Sequence, residues 1–206
     1  MLKRLLVFAI LSWGLFSWWT ERPVRHGPGV VAPGKPHQVK IKSGAAAPFS
    51  FEGYTLTPLA NFRLKARVLA KARYRFDRES DLCPYDLALG WEQMSDESVL
   101  DRLKIWQSHR FYYWSARTLP VPKKEIERSS ANMHPIPSSR EVSTAIRRVR
   151  KGHVIEMAGA LVRVDAPDGW HWVSSLQRSD SGYGACELIW VEQMRILEPA
   201  GSKNGD

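Results

Sequence analysis

The sequence predicts an α+β protein: an N-terminal membrane-anchor helix, then a curved antiparallel sheet or small β-barrel with one or two helices. Three observations lead there. Residues 5–19, LLVFAILSWGLFSWW, carry no charge. Residues 62–76, FRLKARVLAKARYRF, alternate apolar and basic side chains with period two, the pattern of a strand with one buried face. Residues 153–197 run through three β-rich stretches separated by the turn-forming APDG and SDSGYG.

A chain of 206 residues with 44% hydrophobic content and nine Trp can bury a sizeable core, which excludes a disordered protein. Its net charge of +9 is unevenly placed. Residues 1–76 hold 13 Lys and Arg against 2 acids, giving +11, and residues 77–206 hold 17 against 19, giving −2.

The apolar run is preceded by Lys3 and Arg4 and followed by Glu21, Arg22 and Pro23. It is shorter than the ~20 residues of a standard span. A signal peptide starts in the same way, but no small-x-small cleavage pattern follows promptly; Val30-Val31-Ala32 comes only after a charged, Pro-containing stretch. Trp18 and Trp19 suit interfacial anchors. The expectation is an uncleaved single-pass signal-anchor (residues 1–20) in the cytoplasmic membrane. A short N-terminal tail inside places the main domain outside the cytoplasm, on the periplasmic side.

Residues 21–50 are rich in Pro and Gly with no apolar period, and read as an extended linker. The soluble α+β domain then spans 51–198 and a disordered tail 199–206. Residues 54–59 form a short strand leading into the basic one, which at fifteen residues requires a bend or bulge near Val68 and Leu69. DRESDLCPYD is an irregular connection, and DESVLDRLKI, after Ser95, a short capped helix. IWQSHRFYYW, residues 105–114, reads as one strand. Residues 120–137, with Pro120, Pro122, Pro135 and Pro137, read as a loop. Ser138 with Glu141 makes a capping box for a helix whose stripe is Val142, Ala145, Ile146 and Val149, ending at Gly152. HVIEMAGALVRVD follows as a strand with Gly159 as bulge or close-approach point, then WHWVSSLQ and ACELIWVEQMRIL. The element content is similar to that of oligonucleotide/oligosaccharide-binding barrels.

The stretches LCPYDLALGW (residues 82–91) and GACELIWVE (residues 184–192) resemble those of an uncharacterised family of bacterial membrane-anchored or exported proteins. The resemblance covers residues 54–197 and implies no activity.

Arg63, Lys65, Arg67, Lys71, Arg73 and Arg75 form the candidate binding face, either simply solvated or set against anionic lipid or an envelope polymer; nucleic acid ranks below both. Cys83 and Cys186, the only cysteines, are expected to form a disulfide in an oxidising compartment, with two buried free thiols as the plain alternative. The sharper alternative makes Cys186 a nucleophile beside a Gly-rich turn, with His171 or His153 as base. Two cysteines and six histidines without paired spacing predict no metal site, and no phosphate-binding glycine loop or other cofactor motif is present. Trp170, Trp172 and Trp190 are read as core filling ahead of a stacking platform. The functional expectation is a membrane-tethered, non-enzymatic binding or accessory module of the cell envelope, with a Cys-dependent envelope hydrolase or transferase as the alternative.

Overall fold

The computed structural model describes Gly14 and residues 22–42, 44–177 and 186–197. The expected anchor at 5–19, the SDSGYG turn and the tail lie outside the described residues, among which no helix is long and apolar enough to cross a membrane. The fold is sheet-dominated α+β. Its strands are β1 (His37–Lys40), β2 (Phe49–Phe51), β3 (Tyr54–Arg73), β4 (Tyr85–Gly90), β5 (Lys104–Ser108), β6 (Phe111–Ser115), β7 (Ser130–Pro137), β8 (Val154–Asp165), β9 (His171–Val173) and β10 (Glu187–Leu197). The α-helices labelled among the described residues are the short α1 (Glu97–Leu100), α2 (Lys123–Arg128) and α3 (Arg140–Arg148).

Five strands pair in a closed circuit. β3 runs antiparallel to β4, and β4 antiparallel to β7. β7 then pairs parallel with β10, β10 antiparallel with β8, and β8 antiparallel with β3. All five contribute to one apolar cluster, including Phe62, Leu64, Leu87, Met133, Ile155 and Ile189, onto which Val142 and Ile146 of α3 pack. β1 and β2 add to β3, and β9 adds to β8; β5 and β6 form a separate hairpin.

The basic strand is real, but its charges do not share a face. β3 continues unbroken from Tyr54, and its register slips between Val68 and Ala70, where the sequence requires a bulge. Up to Val68 the even positions enter the central cluster, and Arg63 and Lys65 are exposed. Past the bulge, Ala70 packs with Ala88 in a different apolar cluster, while Lys71 pairs with Leu87 of the central one. The extra residue inverts the side-chain phase, as the period of two demands. Lys71 is thereby aimed at the end of α3, where its Nζ donates to the carbonyls of Ile146, Arg147 and Val149 at 2.7–3.0 Å. A cation there satisfies C-terminal carbonyls that have no intrahelical partner.

Several expectations need correction. The linker is a strap: Ala32 is fully buried, Val24 N–H donates to the Lys151 carbonyl at 2.8 Å, and β1 pairs with Asn61–Arg63 and Ala60 of β3. Residues 105–114 are a hairpin, turned by His109 and Arg110 with φ of 51° and 66°. This is the backbone of a two-residue primed turn, which Asn-Gly usually signals and His-Arg conceals. Residues 120–137 contain α2 and β7. β7 tolerates its prolines because β4 pairs only with residues 130–133 and β10 takes over from 133 to 137, which frees one edge beside Pro135. α3 is capped by Ser139 rather than Ser138, its Oγ accepting from Val142 N–H, and ends before Gly152. The helix after Ser95 is capped by Asp96. Only His171–Val173 of WHWVSSLQ is strand. Gly159 is a close-approach point as expected: a Cβ would stand 1.9 Å from the Trp190 carbonyl oxygen.

Candidate functional site

The β4–β7 ladder ends at Leu87 and Met133. One step further along each strand stand Asp86 and His134, beyond the last ladder pair and beside Pro135, which has no N–H to extend it. Asp86 Oδ1 lies 2.9 Å from His134 Nδ1, with the two residues 0% and 2% exposed. Their alignment does not make a hydrogen bond, so His134 Nδ1 and Asp86 Oδ2 are buried with no hydrogen-bond partner. Cys83, in the turn entering β4, is fully buried; its thiol donates to the Tyr85 carbonyl at 3.0 Å and lies 3.8 Å from Asp86 Oδ1. Cys83, Asp86 and His134 thus present ligand atoms within 4.8 Å of one another. Burial, and secondarily the Asp86 carboxylate, pushes the Cys83 thiol well above its ordinary pKa.

Arg110 closes this cluster from the tip of the β5–β6 hairpin. Its Nη1 donates to Asp86 Oδ1 at 2.7 Å and to the Cys83 carbonyl at 2.8 Å. Nε and Nη2 hold Asp77 in a fork at 2.9 and 2.7 Å, and the guanidinium lies 4.1 Å from the centre of the Tyr74 ring. The hydrogen bond from Arg110 holds the Asp77 carboxyl below the usual range. The Arg110 backbone is fixed as well: its N–H donates to Tyr74 Oη at 3.0 Å, and its carbonyl accepts from Asn132 Nδ2 at 2.8 Å. These bonds offset the cost of a left-handed Arg. The Trp172 ring covers His134 with centroids 4.8 Å apart.

The predicted disulfide is absent. Cys83 and Cys186 are separate thiols, the first directed at Tyr85 and Asp86, the second 3.8 Å from the Arg110 carbonyl and 3.9 Å from Asn132 Nδ2. Both contact Arg110, Cys83 through its own carbonyl on the guanidinium and Cys186 through its thiol on the Arg110 carbonyl. His171 is exposed on β9 opposite Asp165, and no described contact brings it to Cys186. His153 accepts from Arg150 N–H through Nδ1 at 3.1 Å, and burial followed by the neighbouring Arg150 lowers its pKa to about 4. The cysteine that has a histidine and a carboxylate beside it is Cys83. Cys-Pro-Tyr-Asp and the lone His134 are 48 positions apart at their nearest, so spacing alone could not join them.

Of the six basic residues, Arg63, Lys65, Arg73 and Arg75 are exposed. Arg67 is 4% exposed and forms an ion pair with Glu97, which also accepts from His26 N–H at 3.0 Å. Arg67 and Glu97 line a cleft of about 110 Å³ closed by the strap and Gly152. Trp170, Trp172 and Trp190 are partly buried over the apolar cluster of Leu56, Ile136, Val162 and Leu188, as core filling requires. No family model, curated protein or solved structure matches the chain.

Proposed function

We propose that the chain is a membrane-tethered, non-enzymatic binding module of the cell envelope, built on a small five-stranded barrel that engages an anionic lipid or polymer surface. The circuit β3–β4–β7–β10–β8, with α3 packed on its interior, supports a barrel of the oligonucleotide/oligosaccharide-binding type. Such barrels take ligands on their second and third strands. In this chain the matching strands, β4 and β7, are covered by the insertion between them. Ala88 packs with Met94, Val99 and Ile126, while Gln107 and Tyr112 bond to Asn132 and Ser130. An oligomer would find no open groove there, which directs binding to another face.

The observation that carries the reading is the state of Arg63 and Lys65. Both are exposed on the half of β3 before the bulge, and no described ion pair engages either. By contrast Arg67, Arg78, Arg110, Arg163 and Arg195 are matched by carboxylates. The test uses the full chain in neutral detergent on immobilised polyphosphate. Retention at low salt should fade towards 1 M, where the screening length is ~3 Å. Arg63→Gln combined with Lys65→Gln should lose most of that retention while Arg75→Gln loses little. Equal retention of parent and double variant would refute the assignment.

A further inference from the structure

The cluster around Asp86 has more donor capacity than the protein uses. Arg110 is shared between two carboxylates, Asp77 and Asp86, so the pair already carries one negative charge in excess of it. Asp86 Oδ2 and His134 Nδ1 are buried without hydrogen-bond partners, an arrangement that is unfavourable unless something binds there. The third member, the Cys83 thiol, sits beside them within ligand distance of both.

We propose that Cys83, Asp86 and His134 form a binding site for one divalent transition metal of the zinc class. Zinc–sulfur bonds of ~2.3 Å and zinc–nitrogen or zinc–oxygen bonds of ~2.0–2.2 Å set donor–donor separations of roughly 3.3–3.8 Å in a tetrahedron. Cys83 Sγ and Asp86 Oδ1 are 3.8 Å apart, Asp86 Oδ1 and His134 Nδ1 2.9 Å, and all donors lie within 4.8 Å. Small side-chain rotations bring this set to metal-binding separations. The thiolate and carboxylate neutralise a divalent cation, and a set containing sulfur and imidazole selects against magnesium and calcium. Arg110 donates to Oδ1 and so orients the carboxylate, and Asp77 offsets the guanidinium charge. Binding breaks the Cys83 S–H bond and forms a sulfur–metal bond; the proton leaves to solvent and no electrons are transferred. The metal bridges the turn before β4 to β7 where their ladder stops, a structural tie in place of missing backbone hydrogen bonds.

The experiment is a Co²⁺ titration of the full chain, chelator-treated and reduced, in neutral detergent. A thiolate-to-cobalt charge-transfer band should grow to one metal per chain, be displaced by Zn²⁺ and be unaffected by excess Mg²⁺. Cys83→Ser should abolish the band, His134→Gln should weaken it strongly, and Cys186→Ser should leave it intact. Because Cys83→Ser could impair folding, wild-type protein is also alkylated with and without Zn²⁺, with the modified cysteine located by mass spectrometry. Zinc should slow labelling of Cys83 far more than that of Cys186. Absence of the band in wild-type protein overturns the proposal, as does a band lost in Cys186→Ser and kept in Cys83→Ser. Zinc-independent labelling of Cys83 overturns it too.

Discussion

Gly152 has a φ of +89°, and a Cβ there would stand 1.8 Å from the Val24 carbonyl oxygen, so two separate constraints require glycine. Gly152→Ala should therefore lower the unfolding free energy by roughly 1–3 kcal/mol in urea titrations. A change within experimental error would show that the strap does not lie against this turn. Next to it, His153 provides a pH signature. Its folded pKa of about 4 lies below the ordinary histidine value of 6.5, because burial and Arg150 oppose charging and its Nδ1 already accepts a backbone hydrogen bond. The unfolded chain then binds more protons than the folded one between those values, so stability falls as pH drops from 6.5 towards 4. Replacing His153 by Gln should flatten that part of the stability–pH curve. An unchanged slope would assign the acid sensitivity to another group.

Within the elements, the decisive feature is one extra residue at Leu69. The alternation in FRLKARVLAKARYRF shows a strand, and its length shows that it must bulge, but a period-two pattern cannot show that the odd positions exchange faces past the bulge. Arg67 and Lys71 look like solvent charges in sequence, yet one pairs with Glu97 and the other caps α3, because partners 30 and more positions away come from other elements. Gly159, the Val142–Ile146 stripe and the indole packing were legible because each is encoded locally. β7 and the β5–β6 turn were not, since the first depends on a change of strand partner at Met133 and the second on side chains that hold His109 and Arg110 in a costly conformation. The Cys83–Asp86–His134 cluster was illegible for the same reason, being assembled by the β4–β7 register. Arg67→Met alone should cost about 1–3 kcal/mol by leaving the mostly buried Glu97 carboxylate with only the His26 N–H and the largely exposed Arg25. Adding Glu97→Leu should recover a large part of it. Costs that merely add in the double variant would mean that the two charges are not coupled.

At the scale of the whole molecule, the strap changes what tethering means. A free linker over residues 21–50 would let the domain range ~100 Å from a membrane, at ~3.4 Å per residue. Instead Val24 is bonded to Lys151, Gly29 N–H donates to Asp96 Oδ1 at 3.0 Å, and Val30 bridges to Asp96, so the domain begins almost where the apolar run at 5–19 stops. With an anchor at 5–19, only a few residues lie between Trp19 and Val24, a reach of roughly 15 Å. The domain would then lie against the headgroups, the geometry in which exposed cations such as Arg63 and Lys65 each contribute ~1 kcal/mol of attraction to an anionic leaflet. Two measurements on the full chain test this together. After carbonate washing of its membranes the protein should stay in the pellet, and brief trypsin treatment of reconstituted vesicles should leave Arg25 and Lys40 uncut, since the first packs towards Glu97 and Asp101 and the second lies in β1. Release into the wash would remove the anchor. Retention combined with fast cleavage at Arg25 or Lys40, shedding the intact domain, would restore the flexible tether and with it a domain that acts at a distance from the bilayer.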